Sequence, residues 1–226
     1  MNREIDKDTM SPDKVGRIGR SEALATALSS TTQAANNQWQ DREHQAQLKT
    51  LVRARCLDSE GSKLVVGKIT MGGGKTLAGV AAYTEAKLSG RAEKMCVVTS
   101  SAALCNQYMS DVLEPKARIG LGHTVSLNHA VNDIDPSRGT DGYVTTYQAL
   151  SQDSGGINLA EFERTNYFLV LDEAHRLKEG GKWHRAVQPL FEASTFVLMM
   201  SGTLSRHDGS RIAFLPYMEV PSCQRK

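Results

Sequence analysis

Five short apolar runs, separated by longer mixed segments, constrain the fold of this chain more than any other feature of its sequence. They cover residues 64–69, 95–99, 143–146, 167–171 and 195–200. The runs are too short to be buried helices and too continuously apolar to be half-exposed strands. Runs of this kind are typical of a parallel sheet that is covered on both faces.

Segments compatible with helices lie between these runs, at residues 76–88, 102–113 and 183–191. The alternation of strand-type and helix-type segments favours repeated βαβ units, whose helices pack against the sheet. The sequence therefore predicts an α/β fold with a parallel sheet flanked by helices, over residues 37–226.

The first 36 residues have a different composition, rich in Ser, Thr, Asn and charged residues. Such a stretch buries too little apolar surface to offset the entropy of ordering it. We expect residues 1–36 to be a polar, mobile leader. A helix at residues 21–35, packed on the domain, is the alternative.

The charge balance and the cysteines exclude several classes of protein. The 27 Lys and Arg residues nearly cancel the 25 Asp and Glu residues, which excludes a long basic tail as the main means of holding nucleic acid and leaves a local basic face possible. The four cysteines form no CxxC pair, which argues against a disulfide scaffold or a zinc finger. No apolar run approaches the ~20 residues that span a bilayer, so we expect a cytoplasmic protein with no membrane segment.

A glycine-rich loop follows the first apolar run and precedes a helix-compatible segment. Its residues are Met71, Gly72, Gly73, Gly74, Lys75 and Thr76. Glycines let backbone N–H groups approach a phosphate, and the helix N-terminus adds partial positive charge. Lys75 can reach the β and γ phosphates, while the Thr76 hydroxyl can hold Mg²⁺. Ile69 stands where the strict pattern has glycine, and a plain turn before a helix is the alternative interpretation.

Two adjacent carboxylates follow the fourth apolar run, at Asp172 and Glu173. A buried strand that ends in two acids places both at the carboxyl edge of the sheet, where open α/β sheets bind ligands. Asp172 is suited to hold Mg²⁺, and Glu173 to polarise an attacking water molecule. The alternative is an acidic helix start that is stabilised by the helix dipole.

Taken together, these motifs resemble the first motor lobe of a superfamily-two helicase or translocase of the DEAD/DEAH type. The resemblance extends over about residues 40–217, with every motif in the expected order. Residues 96–108 are similar to motif Ia, 144–150 to the TTYQ segment, 201–203 to motif III, and 42–45 to an upstream R-x-x-Q element. Residues 206–217 are similar to the phage and restriction-type branch.

The resemblance implies a RecA-like P-loop NTPase domain with ATP and Mg²⁺ as cofactors. The residues that it implies to be catalytic are Lys75, Asp172, Glu173 and His175. The implied cofactor-binding residues are Gln45, Met71, Gly72, Gly73, Gly74, Lys75 and Thr76. In this scheme Gln45 reads the adenine base, and Thr76 and Asp172 hold the metal ion.

The same resemblance implies a nucleic-acid partner, with DNA favoured over RNA. The implied contacts are Ser100, Ser101, Thr145, Thr146 and Gln148. Ser201, Gly202 and Thr203 would couple the nucleotide state to this surface, through a hydrogen bond from His175 to Ser201 or Thr203.

Motors of this class need a second RecA-like lobe, which supplies an arginine finger across the ATP cleft. Only 23 residues follow Thr203, so we expect the second lobe in a longer chain or in a partner chain. A fragment, a truncated product and a split subunit remain open. A non-catalytic nucleotide-binding module that regulates or scaffolds a partner is the alternative function. The DEAH and Ser-Gly-Thr motifs in series disfavour a small-molecule kinase.

Overall fold

The computed structural model of the chain describes residues 41–58, 60–70, 72–113, 126–127, 139–152 and 156–217. The leader predicted at residues 1–36 lies outside these ranges, and so does Met71. Among the described residues, no helix is long and apolar enough to cross a membrane.

Helices and strands alternate along the described chain. The helices are α1 (Glu43–Leu57), α2 (Lys75–Leu88), α3 (Ala102–Leu113), α4 (Tyr147–Leu150), α5 (Ile157–Arg164) and α6 (Lys182–Ala193). The strands are β1 (Leu64–Lys68), β2 (Lys94–Thr99), β3 (Ser126–Leu127), β4 (Gly142–Thr146), β5 (Tyr167–Asp172) and β6 (Phe196–Ser201). A short 3₁₀ helix, Ala174–Arg176, follows β5.

These strands form a sheet in the order β1-β6-β5-β2-β4-β3, and every adjacent pair is parallel. The predicted α/β fold with a parallel sheet is therefore confirmed. Strand β6 lies between β1 and β5, pairing Lys68 with Ser201 and Asp172 with Met200. The loops that follow β1, β5 and β6 consequently leave the same edge of the sheet side by side.

The sheet is buried on both faces, which explains why its strands read as continuous apolar runs. All six residues of β5 are buried. Val170 packs in a core cluster with residues of α2 and α3, whereas its neighbours Leu169 and Leu171 pack in a second cluster with residues of α6. This division follows from the two-residue period of a strand, whose successive side chains point to opposite faces.

The predicted boundaries need small corrections. Strand β1 ends at Lys68, one residue before the apolar run does, while β5 and β6 each extend one polar residue beyond theirs, to Asp172 and Ser201. The pair β3 was not predicted because two residues carry no periodic signal. Polar residues occur at the ends of these strands, so an apolar run alone does not show where a strand ends.

Candidate nucleotide site

The glycine loop between β1 and α2 adopts a backbone that requires glycine. Gly72 and Gly74 have φ of 73° and 78°, in the left-handed region that glycine tolerates best. A Cβ atom on Gly74 would lie 2.7 Å from Nε2 of Gln45, and one on Gly73 would lie 2.8 Å from the Ile69 side chain. Ile69 is itself buried, so it fills the core beneath the loop where the strict pattern has glycine.

Three side chains at the N-terminus of α1 contact this loop, and we call them the α1 clasp: Arg42, His44 and Gln45. Each one donates a hydrogen bond to a successive backbone carbonyl of the loop. The pairs are Arg42 Nη1 with Gly72 O at 2.7 Å, His44 Nε2 with Gly73 O at 2.7 Å, and Gln45 Nε2 with Gly74 O at 3.2 Å. The α1 clasp therefore holds the backbone of the loop through three successive carbonyl groups.

Gln45 is the most buried member of the α1 clasp. Its Oε1 accepts a hydrogen bond from the Arg42 backbone N–H at 2.9 Å, and only 1% of the residue is exposed. Both ends of its amide are thus occupied in the absence of nucleotide. The expected reading of adenine by Gln45 stays a prediction.

Lys75, the first residue of α2, contacts a carboxylate of the Asp-Glu pair. Its Nζ lies 2.5 Å from Oε1 of Glu173, and the two side chains are 12% and 16% exposed. The other Glu173 oxygen, Oε2, lies 3.3 Å from Nδ1 of His175. Glu173 therefore bridges the loop lysine and the histidine.

Glu173 holds this position with a φ of 52°. A non-glycine residue in the left-handed region is uncommon and is held there by its surroundings. The turn ends β5 abruptly and leads into the 3₁₀ helix rather than into a regular α-helix, so the alternative of a plain acidic helix start does not describe this segment.

Asp172 lies deeper than Glu173, at 2% exposure. Its Oδ1 accepts the Glu173 backbone N–H at 2.9 Å, and the Tyr108 hydroxyl lies 3.4 Å from Oδ2. Burial, followed by the neighbouring charge of Glu173, raises the pKa of Asp172 to about 6, while Lys75 acts in the opposite direction. A carboxylate destabilised in this way gains from a bound cation.

His175 links the carboxylate pair to the end of β6. Its Nδ1 lies 2.9 Å from the buried Ser201 Oγ, which also accepts the Thr203 backbone N–H at 3.4 Å. Burial lowers the pKa of His175, which favours the neutral ring. Arg206 donates to the His175 carbonyl at 2.6 Å, so the end of β6 and the loop after it each contact the DEAH segment, residues 172–175.

The residues predicted to contact nucleic acid divide into exposed and buried groups. Ser100, Ser101 and Gln148 are at least partly exposed, at the carboxyl ends of the neighbouring strands β2 and β4. Thr145 and Thr146 are 1% and 8% exposed, and the Thr146 hydroxyl accepts the Ala149 N–H at 3.0 Å as the cap of α4. Their burial argues against a direct role for these two threonine side chains.

Comparison with protein families identifies the chain. The family described as "Type III restriction enzyme, res subunit" matches residues 27–206. The chain belongs to this family. The resemblance to superfamily-two helicases drawn from the motifs is thereby confirmed. No curated protein sequence matches the chain.

Solved structures support the same fold. A Sulfolobus solfataricus SWI2/SNF2 ATPase core in complex with dsDNA matches with a TM-score of 0.56 and 22% identity, over 76% of this chain and 34% of that one. A hypothetical ATP-dependent RNA helicase from Sulfolobus tokodaii matches at 0.55 and 21%, over 78% and 51%. The UvsW helicase from bacteriophage T4 matches at 0.51 and 13%, over 74% and 54%. These matches show a RecA-like fold, and the chain spans between one third and about one half of the proteins concerned.

The donors near the glycine loop fit a magnesium ion. Thr76 offers a hydroxyl and Asp172 a carboxylate, and both are largely buried. The described residues contain no cluster of three or more His, Cys, Asp or Glu residues that could hold a metal unaided. Mg²⁺ commonly takes one or two protein oxygens and completes its shell with phosphates and water. When bound, the ion would neutralise part of the phosphate charge.

Motif reasoning missed two functional contacts in this chain. One is the pair of hydrogen bonds from Arg42 and His44 to the loop backbone, where only adenine reading by Gln45 was expected. The other is the contact of Arg206 with the His175 backbone, since Arg206 had been assigned no role. The sequence carries no signal for the contacts of Arg42 and His44, because these depend on how α1 packs beside α2. For Arg206 we find no signal in the sequence.

Proposed function

We propose that this chain is the ATP-binding lobe of a nucleic-acid-dependent ATPase of the helicase or translocase type. The supporting observation is that Lys75 lies beside Asp172 and Glu173, at the edge of the sheet where β1 and β5 end. The two carboxylates are 97 and 98 residues from Lys75 in sequence. Lys75 would bind the β and γ phosphates, Asp172 with Thr76 would hold Mg²⁺, and Glu173 would orient the attacking water.

Within this proposal, Glu173, His175 and Ser201 form the coupling path. When a γ-phosphate draws Lys75 away, the Glu173 carboxylate is released from its ion pair and its contact with His175 changes. His175 in turn contacts Ser201, so the loop at Gly202 and Thr203 would sense the nucleotide state. The short contacts between these side chains support a direct mechanical relay.

The proposed partners are a nucleic acid and a second RecA-like lobe. Ser101 and Gln148 are exposed and Ser100 is partly exposed, where the resemblance implies contacts to the nucleic-acid backbone, which carry no sequence information. DNA is favoured because the family is described as a restriction-enzyme subunit and one structural match is a dsDNA complex. The second lobe would add an arginine finger, worth roughly 10³–10⁵ in rate where it is present. A cytoplasmic location belongs to the same proposal and agrees with the free thiols of Cys56, Cys96 and Cys105.

Steady-state ATP hydrolysis by the purified 226-residue chain, with and without single-stranded DNA or RNA, tests this function. We expect slow turnover with little stimulation by the strand, because the resemblance assigns the arginine finger to a second lobe. The residual turnover should vanish in Glu173→Gln while ATP binding persists. Vigorous stimulated turnover by a monomer would refute the need for a second lobe. If the same residual hydrolysis survives in Glu173→Gln, the turnover comes from a contaminant. That result would support the alternative, a non-catalytic nucleotide-binding module.

A further inference from the structure

An open cavity of about 520 Å³ lies beside the DEAH segment. Its lining residues are His175, Arg176, Trp183, Arg206, His207 and Asp208. The motif resemblance gives no ligand to this cavity. Its lining combines the Trp183 ring with two arginines, two histidines and one carboxylate.

Trp183 forms the aromatic part of the cavity wall. One face of its ring stacks on Tyr147, with centroids 5.5 Å apart and an interplanar angle of 20°. Tyr147 is itself buried, and its hydroxyl donates to the Asp172 carbonyl at 2.9 Å, which holds the stack in place. Because Trp183 is only partly buried and also borders the cavity, the ring surface left uncovered by Tyr147 is available to a ligand there.

Within the described residues, Arg176 supplies the charge of the cavity lining that no carboxylate pairs with. Arg206 is engaged with the His175 carbonyl, Asp208 and Ser210, and Asp208 is neutralised by that pairing. Arg176 and His207 are exposed, and within the described residues neither side chain makes a hydrogen bond or an ion pair. An anionic ligand is therefore complementary to the cavity.

We propose that this cavity binds one unstacked base of a single-stranded nucleic acid on Trp183, with an adjacent phosphate held by Arg176 and His207. Stacking platforms combined with cationic side chains are how proteins hold single strands without reading their sequence. The site adjoins Gln148 through Tyr147 and shares His175 with the nucleotide site. This inference rests on the proposed nucleic-acid-dependent function and extends it to a defined strand contact.

The two tryptophans of the chain, Trp39 and Trp183, make the site directly observable. In the full chain carrying Trp39→Phe, Trp183 is the only indole fluorophore. Titration with a dodecamer of thymidylate at low salt should quench its fluorescence, with an affinity that falls as salt rises. An acidic peptide of equal charge should leave the fluorescence unchanged.

Variants then assign the binding energy to named groups, by fluorescence anisotropy of a labelled dodecamer. Base stacking is worth about 1–3 kcal/mol by alanine substitution, so Trp183→Ala should weaken strand binding about tenfold, and Trp183→Phe much less. Arg176→Ala should weaken binding and lower the salt dependence by about one phosphate contact. Lys182→Ala, an exposed cation outside the cavity, is the matched control and should bind as the wild type does.

The outcomes separate this site from the proposed function. Strand binding that neither quenches Trp183 nor weakens in Trp183→Ala would overturn the site and leave the nucleic-acid-dependent function standing. Quenching by the acidic peptide alone would assign the cavity to a protein partner and also overturn it. An absence of strand binding by the wild type would overturn both, whereas Mg²⁺–ATP binding reports on the nucleotide site independently. If Trp183→Ala fails to fold, quenching in the Trp39→Phe chain still decides.

Discussion

The Lys75 ammonium group lies 2.5 Å from Oε1 of Glu173, across 98 residues of sequence. The pair is largely shielded from water, so separating it leaves two charges that need new partners. A γ-phosphate would provide one for Lys75, and Mg²⁺-bound water would provide one for Glu173. Within the proposed function, Glu173 and a phosphate would therefore compete for Lys75.

Neutralising Glu173 should strengthen nucleotide binding while it abolishes hydrolysis. In Glu173→Gln, Lys75 no longer has to leave an ion pair before it meets phosphate. We expect the affinity for Mg²⁺–ATP to rise about tenfold, equivalent to about 1.4 kcal/mol, as measured by isothermal titration calorimetry. Glu179→Gln, which alters an exposed carboxylate after the 3₁₀ helix, is the matched control. Weaker binding in Glu173→Gln would show that the ion pair does not compete with ATP.

The α1 clasp makes a prediction that separates loop positioning from base recognition. In Gln45→Ala the Gly74 carbonyl loses its side-chain donor and keeps only the Ala78 N–H, so the loop loses part of its fixed shape. We expect ATP and GTP to lose affinity by the same factor, about threefold to tenfold for one hydrogen bond. Arg42→Ala should behave in the same way.

Competition binding with both nucleotides checks this prediction, with Gln47→Ala, an exposed residue of α1, as the control. A loss confined to ATP in Gln45→Ala would instead establish that the amide rotates to read adenine when nucleotide arrives.

Asp172 should make the stability of the nucleotide-free protein depend on pH. Its pKa is raised from 3.8 to about 6, so the folded state keeps a proton that the unfolded chain releases between about pH 4 and pH 6. The free energy of unfolding should therefore fall as the pH rises through that window. At about 1.4 kcal/mol per pKa unit, the decrease from this group approaches about 3 kcal/mol.

Urea unfolding at pH 4.5, 5.5 and 7.0, without Mg²⁺ or nucleotide, measures this contribution. Asp172→Asn removes the titrating group and should flatten the decline, whereas Glu60→Gln, at an exposed loop position, should keep it. An unchanged decline in Asp172→Asn would assign it to other groups.

The sheet and the position of the site could be predicted from sequence because burial on both faces leaves a local signal. Strand β5 reads as an apolar run that stops at Asp172, and the carboxyl ends of parallel strands meet at one edge. The juxtaposition of Lys75 with the carboxylate pair follows from that topology. The ion pair itself does not, because a side-chain partner at 2.5 Å depends on the backbone turn at Glu173.

Contacts between distant segments and the burial of polar side chains could not be predicted in the same way. The resemblance implies that Thr145 and Thr146 contact nucleic acid, yet the structure buries both. One of them caps α4, a helix too short to leave a periodic pattern. The grip of Arg42 and His44 on the loop likewise depends on how α1 packs beside α2, which no local pattern encodes.

Calorimetric titration of Mg²⁺–ATP into wild type and Lys75→Ala tests most directly whether this chain is an ATP-binding lobe. Lys75 should act as a charge aimed at phosphate, so Lys75→Ala should lose at least about tenfold in affinity, with an unchanged circular dichroism spectrum. Lys68→Ala, at the exposed end of β1, should bind like the wild type. Equal ATP affinity in wild type and Lys75→Ala, with both proteins folded, would contradict the assignment of the glycine loop as the phosphate site.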